Sequence, residues 1–187
     1  MTLQTKLTDV VYRLATGSRK IRNVYTPIDA AFFGLIVCAF IFSGLKVDRL
    51  MGIGNVLPLS ISIPLSLPIF AMALFMIDWS LQHFLKAKGT PVPANPPPRL
   101  ITTGPYAHTR NPMLTGVFAL LFGFGILFGS VFLLFFSIPI FIAINYWGLK
   151  QIEEPELVKR QEGRYADYRA VTPMFLPNFR RKTRKEV

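Results

Sequence analysis

The chain has 187 residues, 51% hydrophobic and only 17% charged, with mean hydropathy +0.40 and a formal charge of +11. Soluble domains carry about 25% charged residues, so this composition points to lipid. The positive balance then fits an anionic membrane surface and argues against nucleic acid as the partner. The single Cys38 excludes an intramolecular disulfide.

In chain order, Met1 to Arg22 lacks the continuous apolar stretch and small-residue cleavage site of a signal peptide. Leu3, Leu7, Val10, Val11 and Leu14 instead fall at helical spacing, with Lys6, Asp9 and Arg13 on other faces. This predicts a short amphipathic helix, lying on the membrane or packed on protein. The first span is expected at Thr26 to Leu45, although its uncharged core, Ala30 to Leu45, has only 16 residues. Asp29 would then sit near the headgroups. The second uncharged run, Leu50 to Ile77, has 28 residues and contains Pro58, Pro64 and Pro68. It predicts a kinked helix from about Val56 to Phe84, with Asp78, Trp79 and His83 at its cytoplasmic end.

Lys86 to Arg99 is too rich in proline for helix and reads as an extended loop, a spacer or a strap over a pocket. Asn111 to Leu149 follows, 39 residues without a charge. One helix of that length would measure about 58 Å, against about 30 Å of hydrocarbon, so it must fold back. Phe128-Gly129-Ser130 is the natural break, with Pro139 expected to bend the second arm. Gly116 and Gly123 permit close helix approach, within the chain or between copies. Along the chain the basic residues group as 5, 2, 4, 0 and 10 around these four spans. That alternation places both termini in the cytoplasm. In the tail, Pro155 can open a helix that brings Leu157, Gln161, Tyr165 and Tyr168 onto one face. Pro173 and Pro177 end it. Met174, Phe175, Leu176 and Phe179 invite docking on the bundle, and Arg180 to Val187 reads as a loose basic end.

The expected fold is therefore all-α: a polytopic membrane helical bundle of about four transmembrane helices, with an N-terminal interfacial helix and a C-terminal cytoplasmic helix. It forms a single membrane domain over 1–187. Its parts are an amphipathic segment 1–24, two spans in 26–85, a cytoplasmic loop 86–111, a helical hairpin 112–149 and a tail 150–187. Folding the hairpin back brings two polar clusters to one membrane face. One runs from Gly104-Pro105-Tyr106 to Arg110-Asn111-Pro112; the other is Glu153-Glu154. Each part also has a plainer reading as a turn, a helix start or solvated charge. Either carboxylate has the chemistry to bind a cation or a diol, or to act as a base. The sequence has no metal-ligand spacing, phosphate loop, dinucleotide fingerprint or Ser-His-Asp set.

The order Leu100-Ile101-Thr102-Thr103-Gly104-Pro105-Tyr106, Arg110-Asn111-Pro112-Met113, Gly116, apolar hairpin, Glu153-Glu154-Pro155-Glu156-Leu157, Tyr165, Tyr168, Pro173, Pro177 resembles the integral-membrane methyltransferases. These are the isoprenylcysteine carboxyl methyltransferases and the related phospholipid methyltransferases. The resemblance runs from about Pro98 to Phe179. It implies S-adenosylmethionine as methyl donor, bound on the cytoplasmic side by Pro98, Arg99, Leu100, Ile101, Tyr106, Asn111, Pro112, Met113, Leu114 and Glu153. It implies Arg110, Asn111 and Glu154 as the catalytic set, with Tyr146 and Trp147 as further candidates for an aromatic wall or for an interfacial belt. A lipid or other lipophilic acceptor would enter from the bilayer, in a bacterial or archaeal inner membrane.

Three departures stand out. Asn111 replaces the family's usual His, so this position cannot titrate. Leu149 stands where carboxyl methyltransferases carry an Arg thought to face the substrate carboxylate, which favours an amine, thiol or phenol acceptor. Gln161-Glu162-Gly163 displaces the usual Phe-Gly. The alternatives are an NADPH-dependent lipid reductase, whose C-terminal bundle is similar, and a non-enzymatic membrane carrier or scaffold.

Overall fold

The computed structural model describes residues 3–93, 95–161 and 163–177, and among these it is helical with no strand. The helices are α1 (Leu3–Ala15), α2 (Arg19–Leu50), α3 (Leu59–Lys86), α4 (Pro112–Leu127), α5 (Ile138–Gly148), α6 (Glu154–Arg160) and α7 (Arg164–Val171). A first π-helical turn, Leu133–Ser137, leads into α5, and a second, Leu149–Glu153, joins α5 to α6, making one rod, Leu133–Arg160. This rod, α2 and α3 are long and apolar enough to cross a membrane, and α4 is a shorter apolar helix. Their outward faces carry apolar side chains such as Phe32, Leu35, Phe42, Leu67 and Leu74, all exposed. A soluble protein would hide such a surface; lipid accepts it.

Close approach at glycine sets the packing. A Cβ on Gly116 would lie 2.8 Å from Ile77 Cγ1, and one on Gly123 would lie 2.6 Å from Phe70. α4 therefore runs antiparallel to α3 at close range, and these glycines serve packing within the chain. Gly44 of α2 likewise admits Leu133. Val117, Phe118, Leu121, Leu133, Ile138 and Phe141 form the buried core.

The hairpin breaks where expected. Gly129 has φ +56, and its carbonyl accepts the Val56 N–H at 3.3 Å. At this tip the carboxylate of Asp48, near the end of α2, accepts from the Ser130 hydroxyl and, at 3.0 Å, from the Phe132 N–H. A charge buried at the end of an apolar helix thus satisfies the first free donors of the next one.

Two expectations change in detail, and one open alternative is resolved. α2 starts at Arg19 rather than Thr26 and contains Pro27, and Thr26 donates its hydroxyl to the Arg22 carbonyl at 2.8 Å in that turn. Pro155 lies in the first turn of α6, as expected, with α6 continuing the rod after the second π turn, but the expected tail helix is broken at Gly163, where φ is +88. α1 packs on the rim of the bundle. Gln4 Nε2 donates to the Gln151 carbonyl at 3.1 Å, and Lys159 pairs with Asp9 at 3.0 Å. Leu7 and Val10 of α1 stay exposed. The expected docking of Phe179 and the basic end Arg180 to Val187 lie outside the described residues.

Candidate active site

The Gly104-Pro105 bend folds as a short 3-10 turn, Gly104–Ala107. Gly104 has φ +60 and packs directly on the His83 ring, so both conformation and space require glycine there. The turn buries Tyr106, whose ring meets Phe84 edge-on at 5.4 Å. From α7, the Tyr168 hydroxyl donates to the Tyr106 carbonyl at 2.6 Å. Beyond the turn, the tail runs alongside the start of α4. The Arg110 N–H donates to the Pro173 carbonyl at 2.9 Å, and the Thr109 hydroxyl and Asn111 N–H donate to that of Met174 at 2.8 and 3.2 Å. Phe175 docks on Phe118, ring to ring at 5.1 Å, in keeping with the apolar tail residues.

The two polar clusters meet through charge. Arg110 and Glu154 form a nearly buried ion pair. The Tyr165 hydroxyl also donates to Glu154 Oε1 at 3.3 Å, and Arg169 approaches Oε2 at 3.4 Å. Both oxygens of Glu154 are thus engaged, while Arg110 Nε is buried without a partner among the described residues. Burial pushes the Tyr165 phenol well above its ordinary pKa, and the Glu154 charge adds to this. Burial does the same to Tyr106 and Tyr168, so all three stay neutral donors near pH 7.

A cavity of about 590 Å³ opens beside this lock. Of the residues expected at the site, Arg99, Leu100, Ile101, Tyr106, Arg110, Asn111, Met113, Leu114, Glu153 and Glu154 line it. Pro98 is exposed and off the lining, and Pro112 is buried at the first turn of α4. Glu153 makes no hydrogen bond or ion pair with a described residue. Asn111 donates its side-chain amide to the Met174 carbonyl at 3.3 Å. Tyr146 and Trp147 are exposed and off the lining, as a belt would be. The proline-rich loop acts as a strap: Gly89 packs against Pro97, Arg160 donates to the Pro97 carbonyl at 3.3 Å, and Val92 and Pro96 line the cavity.

Sequence reasoning missed the wall opposite. Asp29 and Phe33 of α2, and Asn145 and Gly148 of α5, also line the cavity, with Glu156 and Arg160 paired at 2.7 Å near the strap. The available signal was a lone polar residue in an apolar helix, as with Asn145.

Residues 61–161, just over half of the chain, match the phospholipid methyltransferase family. The match starts earlier than the motif resemblance, taking in α3, and stops before α7. No curated protein and no solved structure matches the chain. A membrane bundle, two polar clusters on one cavity and this match converge: the chain belongs to the phospholipid methyltransferase family.

Proposed function

We propose that the protein is an S-adenosylmethionine-dependent methyltransferase that acts on a lipophilic acceptor at the cytoplasmic membrane interface, both termini being cytoplasmic. The observation that carries this reading is that one cavity is lined by Tyr106, Arg110 and Asn111 from one cluster and Glu153 and Glu154 from the other. Its volume falls in the range of about 300–1,000 Å³ common for small-molecule sites. The orientation rests on the 5, 2, 4, 0, 10 grouping of basic residues.

The residues present suit the donor. The unpaired Glu153 fits a ribose diol or an ammonium group. Arg110, with its partnerless buried Nε, fits a carboxylate. Leu100, Ile101, Met113 and Leu114 offer apolar walls for a purine. When bound, the donor supplies an electrophilic methyl group on a sulfonium. The chain supplies position. Glu154, held by Arg110, Arg169 and Tyr165, fixes the guanidinium and couples it to the tail, so its part is positioning. Asn111 hydrogen-bonds without titrating, so no proton passes through it. The strap, through Val92 and Pro96, and α7, through Tyr165 and Tyr168, border the same cavity.

An interfacial site also answers a physical problem. A long-chain acceptor loses about 0.8 kcal/mol per CH₂ on leaving lipid, and a charged donor cannot enter lipid. Candidate acceptors are an isoprenylcysteine-like molecule, a phospholipid amine or a small thiol. Leu149, apolar where a carboxylate-facing Arg would stand, weighs against a carboxyl acceptor. The test is retention of labelled S-adenosylmethionine by the purified protein, then transfer of label to extractable lipid in vesicles. Retention of NADPH instead would move the protein to the reductase class.

A further inference from the structure

α1 has two unlike sides. The docked side carries Gln4, Thr8, Asp9, Tyr12 and Ala15. Thr8 and Ala15 are buried, and Gln4 Nε2 donates to the Gln151 carbonyl at 3.1 Å and to its side-chain oxygen at 2.7 Å. Lys159 of α6 holds both the Asp9 carboxylate, at 3.0 Å, and the Tyr12 ring, at 4.4 Å. The opposite side carries Lys6, Leu7, Val10, Arg13 and Leu14, which fall within about 120° of the circumference at 3.6 residues per turn. Of these, Lys6, Leu7, Val10 and Arg13 are exposed.

Charge names the partner of that outer side. The Lys6 and Arg13 side chains make no hydrogen bond or ion pair with a described residue. Asp9, the one acid of α1, is already paired with Lys159. After the bend at 16–18, the first turn of α2 holds no acid either. There Lys20 is exposed, and Arg22 Nε is buried without a partner among the described residues. Apolar side chains flanked by unpaired cations on one helix face suit the surface of an anionic bilayer. A second copy of the chain would set like charge against like.

The docked side leads to the site. Pro155 has no N–H to offer the Gln151 carbonyl, and Gln4 supplies one, two residues before the cavity-lining Glu153. Because the two sides of α1 are opposite, lipid and rod can hold it at once, and each strengthens the other.

Resting on the methyltransferase reading above, we propose that α1 binds anionic lipid on its outer side and so steadies the turn bearing Glu153, making donor affinity rise with the negative charge of the membrane. The test places the full chain in phosphatidylcholine vesicles, with and without phosphatidylglycerol. It reads amide hydrogen exchange in α1 and the Kd for labelled S-adenosylmethionine. In the wild type, phosphatidylglycerol slows α1 exchange about fivefold or more. It lowers the donor Kd about twofold to fivefold, the worth of the exposed Gln4 bond. Lys6→Gln combined with Arg13→Gln removes both effects. Gln4→Ala keeps the effect on α1 exchange and loses the effect on Kd. Equal exchange in the two lipids overturns the proposal, as does slowing that survives the double substitution. Slowing that follows protein density instead of phosphatidylglycerol marks a second copy and also overturns it. So does a donor Kd indifferent to phosphatidylglycerol while α1 exchange slows. A wild type that retains no donor in either lipid removes the methyltransferase reading itself, a result separable from donor retained without the lipid effect.

Discussion

The rod Leu133–Arg160 contains two π turns, and each ends two residues before a proline, Pro139 and Pro155. A proline inside a helix lacks its N–H and crowds the carbonyl four residues earlier, Phe135 or Gln151, and a widened turn relieves both. From this shared cause the two turns serve different ends. The first lies in apolar packing, with Leu133 fully buried against Gly44. The second lies on the rim, where the Gln151 carbonyl accepts from Gln4 of α1 and Glu153 and Glu154 both reach the cavity. An irregular turn is thus no mark of function by itself. What it presents decides.

Substitutions at the two turns should separate these uses. The largest effect is expected at the rim. Glu154→Ala leaves Arg110 buried without its carboxylate and should cost about 3–5 kcal/mol, read as a lower melting temperature in detergent together with lost donor binding. At the inner turn, Gly44→Ala pushes a methyl group to 2.9 Å from Leu133 Cβ. It should cost about 1–3 kcal/mol of stability while donor affinity holds. Glu153→Gln should do the reverse, weakening donor affinity about tenfold by titration calorimetry with melting unchanged; equal affinity would take Glu153 out of the site. The smallest effect is Gln4→Ala, about 0.5–1 kcal/mol because the bond is exposed, measured as faster hydrogen exchange in α1.

Much of the bundle was legible from charge-free runs, since the hydrocarbon thickness limits where a helix must turn. Gly129 marked the hairpin tip because the turn needs a positive φ. The start of α2 was not legible, since charged residues such as Lys20 and Arg22 read as a boundary although a helix can continue through an interface. The break at Gly163 was hidden by neighbours with good helical spacing. At the site, the pairing of Arg110 with Glu154 follows from folding the hairpin back, which sequence allows one to foresee. The wall of Asp29 and Asn145 does not, because it depends on how α2 slides along α5, and that register is set by Gly44, Leu133 and Phe141.

The Asp48 contact at the tip has a mechanical corollary. It fastens the far end of α2 to the start of the rod, while the Asp29 end bounds the cavity. A clothes-peg sprung at one end parts only at its jaws, so a lipid tail slipping sideways between α2 and α5 would enter near Asp29, with Asp48 as the pivot.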